Sequence, residues 1–315
     1  MGHLRPLGVD LGTTRVRVAL SERTPENKTR LRAIASRDLP DTVWSEGGRS
    51  LEFAAMILEQ LVREIEPRKR NCVTALGLPH ATLRTVQFPK MSWLERRKAA
   101  RFEMQREAEG SIVRVHPVDR DAGLFAVAAA QANLVKRHGE ILRKAGLRLV
   151  AIDHDAYALR RALPEFDAVA DIGHKALRLH VFVEKSAISW ITDAGGSSIT
   201  DGIAGDLAID SESAERRKRI LGTSGAGDAA FGALVRELCA LVDRGAAYRK
   251  LERLALVGNG ARLPGFAAEI ADRTGLSVEF PVSRLLRTGG FPSDVLQVAS
   301  PDWTLAAALS DWEAA

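Results

Sequence analysis

Residues 8–18, Gly8-Val9-Asp10-Leu11-Gly12-Thr13-Thr14-Arg15-Val16-Arg17-Val18, read as strand, tight turn, strand. Residues 169–181, Val169-Ala170-Asp171-Ile172-Gly173-His174-Lys175-Ala176-Leu177-Arg178-Leu179-His180-Val181, read the same way in the second half of the chain. In each, a glycine lets the backbone turn sharply, so successive N–H groups can point at one anion. In each, an aspartate, Asp10 or Asp171, closes the first strand, where its carboxylate can hold a hydrated cation. Taken singly, a turn of this kind is most often only a β-turn. Two of them far apart in one chain imply two similar half-molecules of α/β class gripping one polyphosphate between them.

Outward from the first hairpin, Val16, Val18 and Leu20 alternate with Arg15 and Arg17, which predicts a half-buried second strand. A third strand is expected over Leu31 to Ala35, after a polar turn from Glu22 to Thr29. Ser50 to Glu66 then reads as a helix with Phe53, Ile57, Leu61 and Ile65 on its buried face, stopped by Pro67. Cys72 to Leu78 is another strand, and residues 1–79 make the first part of one lobe.

The texture changes over residues 80–149. Leu83 to Phe88 reads as a strand, and Ser92-Trp93-Leu94-Glu95 is a capping-box signal for a basic helix reaching about Glu109. Two short β-runs, Ile112 to Val115 and Leu124 to Ala130, precede a helix with Leu134, His138, Ile141 and Leu142 on one face. This is a small α+β insert. Residues 150–315 complete the first lobe and form the second. After the second hairpin, a strand over Ile188 to Thr192 ends in Gly195-Gly196. Helices are expected at about Ser198 to Leu207, Glu212 to Leu221 and Asp228 to Asp243. Leu254 to Val257 is a strand leading into Gly258-Asn259-Gly260. The second half thus repeats the first.

With 315 residues the chain can bury two real cores, and its 46% hydrophobic content is that of an ordinary globular protein. A net charge of +5 favours anionic ligands, but 40 interspersed acidic residues argue against a nucleic-acid partner. Cys72 and Cys239 belong to no metal spacing and read as buried reduced thiols. Leu124 to Ala130, the longest apolar run, is too short to span a bilayer, and the N-terminus lacks a signal-peptide core. A cytoplasmic location without direct membrane insertion follows as the expectation.

Further chemistry gathers late in the chain. An apolar strand breaking into Gly258-Asn259-Gly260 before Arg262 and Pro264-Gly265 lets a flat ring lie on bare backbone. A helix N-terminus beside it favours anions. The spacing is not that of the dinucleotide fingerprint. Arg17 stands on the strand after the first turn, where a cation can neutralise phosphate, or simply face solvent. The cluster Arg216-Arg217-Lys218-Arg219 after Glu215 is, by itself, an ordinary solvated helix face.

In this order the motifs resemble those of the actin-like ATPases, which include actin, DnaK-type chaperones and FtsA, and within them the PilM family. Gly8 to Arg17 resembles the first phosphate motif, with Arg17 in place of its usual lysine. Ala170-Asp171-Ile172-Gly173 resembles the second, and Gly258 to Gly265 the adenosine motif. Leu83 to Pro89, Ala145-Gly146-Leu147 with Ile152 to Arg160, and Gly195-Gly196-Ser197-Ser198-Ile199-Thr200 with Ala214 to Arg219 are similar to PilM in particular. The resemblance implies two duplicated RNase H-like lobes with a small α+β insert and a bound ATP or ADP with Mg2+. Asp10 and Asp171 would hold the metal and carry any catalysis. Gly12, Thr13, Thr14, Arg17 and Gly173 would hold phosphates. The glycine pair Gly195 and Gly196, with Glu215, Lys218, Arg219, Gly258, Asn259, Gly260 and Arg262, would hold the rest of the nucleotide. For PilM it implies a cytoplasmic scaffold of type IV pilus, DNA-uptake or secretion machinery, with at most weak ATPase activity. The expected partner is the cytoplasmic tail of a PilN-like inner-membrane protein, which would recruit it to the membrane; self-association is open.

The chain departs from the family pattern at His174-Lys175, where small residues usually follow the second turn. It also departs in the insert helix, which carries Arg96, Arg97, Lys98, Arg101 and Arg106 where PilM is often acidic. Rival readings are an FtsA-like filament former, a small-molecule kinase of the same fold, and a nucleotide-free pseudo-ATPase scaffold. The segment from Asp302 to Ala315 is short and acidic, unlike the membrane helix of FtsA, and no carboxylate in residues 80–149 suits a kinase base.

Overall fold

The hairpins fold as their alternation and glycines require. A computed structural model describes residues 4–23, 29–40, 44, 48–67, 69–104, 109–281 and 301–313. By internal contact the chain divides into two units. One comprises Met1–Arg160 with Phe182–Ile188 and Leu305–Ala315, and the other Arg161–Val181 with Ser189–Thr304.

The first unit opens with strands β1 (Leu4–Leu11), β2 (Arg15–Arg23) and β3 (Thr29–Asp38), helix α1 (Gly48–Ile65) and strand β4 (Asn71–Leu76). The insert follows: β5 (Ala81–Gln87), α2 (Trp93–Glu103), β6 (Ser111–Asp119) and β7 (Leu124–Gln131). The chain then returns through α3 (Ala132–Lys144) and β8 (Arg148–His154) to α4 (Asp155–Ala162). The main sheet has the order β3-β2-β1-β4-β8, with β1–β2 and β2–β3 antiparallel and β1–β4 and β4–β8 parallel.

The second unit contains β9 (Ala168–Ile172), most of β10 (Leu177–Val183) and β11 (Ser186–Thr192), then α5 (Gly196–Leu207), α6 (Ser211–Leu221) and α7 (Asp228–Ala246). It ends with β12 (Arg253–Val257), a 3-10 turn (Asn259–Arg262), α8 (Phe266–Thr274) and β13 (Ser277–Glu279). Its sheet order is β11-β10-β9-β12-β13, with β9–β10 antiparallel and β9–β12 and β12–β13 parallel. Strand for strand this is the first sheet again. The duplication inferred from two hairpins therefore extends to the whole lobe.

Burial corrects two sequence expectations. The stripe of α1 runs through Ala54, Leu58, Leu61 and Ile65, whereas Phe53 remains 40% exposed at its edge. Strand β2 is not half-buried: from Val16 to Ser21 every residue is buried, Arg17 included. Val16, Val18 and Leu20 join α1 in one core. The other face lies under a short terminal helix, α9 (Thr304–Ser310), which local alternation could not announce; the Ser21 hydroxyl is hydrogen-bonded to that of Ser310. Fully burying a Leu or Val contributes about 1.5–3 kcal/mol. With Leu7, Val9, Val16, Val18, Leu58 and Leu61 all at or near zero exposure, the register of this sheet is strongly specified.

The insert forms its own antiparallel sheet, β5-β7-β6, covered by α2 around a core of Phe88, Ala100, Met104, Phe125, Val127 and Ala129. The capping box forms as expected, with Ser92 and Glu95 bonded reciprocally. Helix α2 ends at Glu103, short of Glu109, because Met104 leaves helical geometry (φ −103°) with its side chain wholly buried. The rest of that expected helix, including Arg106, lies outside the described residues, as does most of the polar turn after Glu22. Helix α3 buries His138, Ile141 and Leu142, the last two in the core that includes α1. Burial, with the nearby His80 and Arg137 charges, pushes the His138 imidazole down to about 4, so it sits there neutral. Burial likewise pushes the Cys72 thiol up to about 12, leaving it inert, while Cys239 is only partly buried.

Candidate functional site

In the first hairpin, Asp10 stands directly across the ladder from Arg17, and Leu11 from Val16. The Gly12 N–H closes the turn on the Arg15 carbonyl at 3.0 Å. A Cβ on Gly12 would lie 2.7 Å from that same oxygen, so no larger residue fits. The Arg17 guanidinium approaches the Asp10 Oδ2 at 3.4 Å and is almost wholly buried. Thr13 and Thr14 are half-buried in the turn, where the Thr14 carbonyl accepts the Leu39 N–H at 2.7 Å. Trp44 donates its indole N–H to the Gly12 carbonyl at 3.0 Å, with its ring 5.5 Å from that of His138. Nothing in the sequence marked Trp44 for this role, because its partners come from distant segments.

The second hairpin is the same device. Asp171 stands across from Arg178, the Gly173 N–H bonds the Ala176 carbonyl at 2.9 Å, and Arg178 approaches the Asp171 Oδ2 at 3.4 Å. Sequence reasoning missed Arg178, although the Asp-to-Arg spacing, identical in the two hairpins, was there to find it.

Around this second hairpin the remaining motifs of the second unit converge. The N–H groups of Gly196 and Ser197, at the start of α5, bond the carbonyls of Gly173 and His174 at 3.0 and 2.8 Å. A Cβ on Gly195 would lie 2.4 Å from the His174 oxygen, so this glycine lets helix and turn meet, whereas one on Gly196 would make only ordinary contacts. Lys218, buried on α6, donates to the Gly196 carbonyl at 2.8 Å, to the Thr200 hydroxyl at 2.7 Å, and pairs with Glu215 at 2.6 Å. The Thr200 hydroxyl donates a hydrogen bond to Glu215 at 2.7 Å, and Arg219 Nε reaches the other carboxylate oxygen at 2.9 Å. Burial opposes the charge, but these bonds and the Lys218 ammonium outweigh it, holding the Glu215 carboxyl down to about 2. Gly258, at φ +84°, comes so near that a Cβ there would lie 2.5 Å from the Asp171 Oδ1; one on Gly260 would lie 2.4 Å from Ile172. Asn259 and Arg262 are exposed at the ends of the 3-10 turn.

Asp171, Gly173, Gly195, Gly196, Glu215, Lys218, Arg219, Gly258 and Gly260 thus form one contiguous cluster, while Asp10, Gly12, Thr13, Thr14 and Arg17 form the equivalent turn of the first unit. Among the described residues no group of three or more histidine, cysteine or carboxylate side chains could cage a metal. A cation here would be held by single aspartates and water, the manner of magnesium.

No protein-family model matches the chain, and no curated protein matches it in sequence. Solved structures do. A PilM–PilN type IV pilus biogenesis complex contains a chain 26% identical to this one, with a TM-score of 0.83 over 97% of each chain. The chain has the actin-like fold of PilM. The ethanolamine utilization protein EutJ from Carboxydothermus hydrogenoformans shares that fold at 20% identity and a TM-score of 0.61, covering 98% of this chain and 89% of its own. The PilM-like fold accounts for the doubled sheet, and the insert leaves the first sheet between β4 and β8. Among the described residues no helix is long and apolar enough to cross a membrane.

Proposed function

We propose that this chain is an ATP-binding, actin-like scaffold of type IV pilus assembly, or of a related DNA-uptake or secretion machine. It would work in the cytoplasm, recruited to the inner face of the membrane by the tail of a PilN-like protein. One observation carries the nucleotide reading: three separate stretches of the second half meet around Asp171, beside a hairpin that repeats the Asp10 hairpin bond for bond. The turns at Gly12, Thr13 and Thr14 and at Gly173 hold phosphates, the two glycines by closing each turn on its own carbonyl, and Asp10 and Asp171 hold a hydrated Mg2+, which supplies charge to the phosphates when bound. Lys218 has its three donors engaged, so its part is to fix Gly196 and Thr200. The outer faces of Glu215 and Arg219, with Asn259 and Arg262, meet the adenosine. Turnover is weak at best, since the aspartates sit beside arginines and the bulky His174-Lys175 follows the second turn. Helix α9 does not suit an FtsA-like membrane contact, because its residues Ala306 to Leu309 are buried.

The test of nucleotide binding is thermal. Mg·ATP at a hundredfold over its dissociation constant adds about 2.7 kcal/mol, a rise of roughly 5–10 °C in melting temperature for a chain of this size. Asp10→Ala and Asp171→Ala each shrink the magnesium-dependent part of that rise. An unmoved melting curve with millimolar ATP and ADP would remove the nucleotide from the proposal.

The partner reading comes from the PilM–PilN complex and from the insert surface. A cavity of about 390 Å³ there is lined by Trp93, Arg96, Arg97, Val115, Arg120 and Phe125. Arg96 lies over the Phe125 ring at 4.2 Å and Arg97 over Trp93 at 4.7 Å, so guanidinium and aromatic groups line it together. Such a surface suits a short segment with an apolar anchor and acidic flanks. PilN-like tail peptides from the same genome are expected to bind, more weakly in high salt. An Arg97→Glu, Arg101→Glu double variant should bind roughly fivefold more weakly or worse. Failure of every such tail to bind the wild type would sink the partner assignment. Binding indifferent to salt and charge reversal would move the site off α2.

A further inference from the structure

We propose that Arg178 is a second polyphosphate-binding cation, the counterpart in the second hairpin of Arg17 in the first. The inference deepens the nucleotide-binding reading and rests on it. The two arginines hold equivalent places in their hairpins, Arg17 buried and Arg178 partly exposed. Each stands across the ladder from its hairpin aspartate, at Asp10↔Arg17 and Asp171↔Arg178. Each brings one terminal nitrogen to 3.4 Å from that aspartate's Oδ2. Each also brings that nitrogen over the turn, 3.9 Å from where a Cβ would stand on Gly12 or Gly173. A charge that only decorated a strand would have no reason to overhang the turn glycine in both lobes.

The chemistry favours phosphate as the common ligand. A guanidinium has N–H donors in a planar fork and can bond a carboxylate and a phosphate oxygen at once. An aspartate already beside a guanidinium offers a divalent cation less net negative charge, whereas the arginine itself attracts the polyphosphate. Two such arginines carry part of the charge that magnesium otherwise supplies. Nucleotide binding should therefore survive removal of the metal better than a site built on aspartates alone.

The experiment measures ATP and adenosine binding to wild type, Arg178→Gln and Arg17→Gln, each in Mg2+ and in EDTA. Arg178→Gln is expected to weaken ATP binding about tenfold or more, the loss of one charge-assisted bond, with the larger effect in EDTA and adenosine binding unchanged. Arg178→Lys should recover part of the loss. If Arg178→Gln does not fold because Asp171 loses this partner, Asp171→Asn is compared with the Asp171→Asn, Arg178→Gln double variant, where the extra loss of ATP binding belongs to Arg178. Equal ATP binding with and without the arginine, while Arg17→Gln loses it, overturns the proposal and leaves the nucleotide reading intact. Equal losses of ATP and adenosine overturn it too, marking Arg178 as structural. Wild type that binds neither ligand overturns the nucleotide reading and this proposal with it.

Discussion

Gly8→Ala is expected to destabilise the protein by about 3 kcal/mol, the upper end of ordinary overpacking costs. Gly8 lies within β1, paired with Ala19 of β2 and Val73 of β4, so the strand cannot move aside alone. A methyl group there would stand 2.0 Å from the Ala306 carbonyl oxygen and 2.5 Å from the Ser310 nitrogen. Both are backbone atoms of α9, so no side-chain rotation relieves the clash. The helix must lift, uncovering Ala306, Ala307 and Leu309 and breaking the Ser21–Ser310 bond. It must also disturb Arg5, which bonds the Asp311 carbonyl at 3.2 Å and its carboxylate at 3.2 Å. Urea unfolding reads the effect as a lower midpoint with an unchanged slope. A midpoint within error of wild type would mean that α9 does not seat on β1.

Gly258→Ala should cost a comparable amount and, unlike Gly8→Ala, should also abolish the ATP-dependent rise in melting temperature. Its backbone, at φ +84° and ψ 166°, lies in a region open essentially to glycine, which alone makes a side chain about 1–3 kcal/mol unfavourable. The new methyl would meet the Asp171 carboxylate at 2.5 Å and the Ile172 carbonyl at 2.6 Å. Displacing Asp171 disturbs its contact with Arg178 and the turn that α5 holds. Gly275 is the control: it also has positive φ, at +69°, but nothing lies within 4 Å of its Cβ position. Gly275→Ala should therefore cost only about 1 kcal/mol, the backbone part, and leave ATP stabilisation unchanged. If both variants lose the same stability and both keep the nucleotide response, Gly258 has no part in the site.

Much of the architecture was legible because its signals are local. Alternation, a turn glycine and a following helix specify each hairpin within about a dozen residues, and the Ser92–Glu95 cap starts α2 where it should. That the glycines of the second half stand at strand ends and turns was legible for the same reason, since glycines break strands at identifiable ends. What was lost lay in pairings between remote segments. Trp44 gains its role from Gly12 and His138, Lys218 from Gly196 and Thr200, and Phe53 drops out of the α1 face because the sheet meets the stripe centred on Leu58 and Leu61.

By itself the chain's amino-acid order determined the repeated hairpin, the α/β class, the insert and which glycines and aspartates stand at the two turns, because each depends on backbone preferences within a few neighbouring residues. Only the tertiary structure decided that β2 is buried on both faces and that α9 lies on Gly8. It alone showed that Arg178 repeats Arg17 and that Gly258 touches Asp171. Those facts arise where segments up to some 300 residues apart are brought within van der Waals contact, and no local pattern encodes which distant surface will arrive.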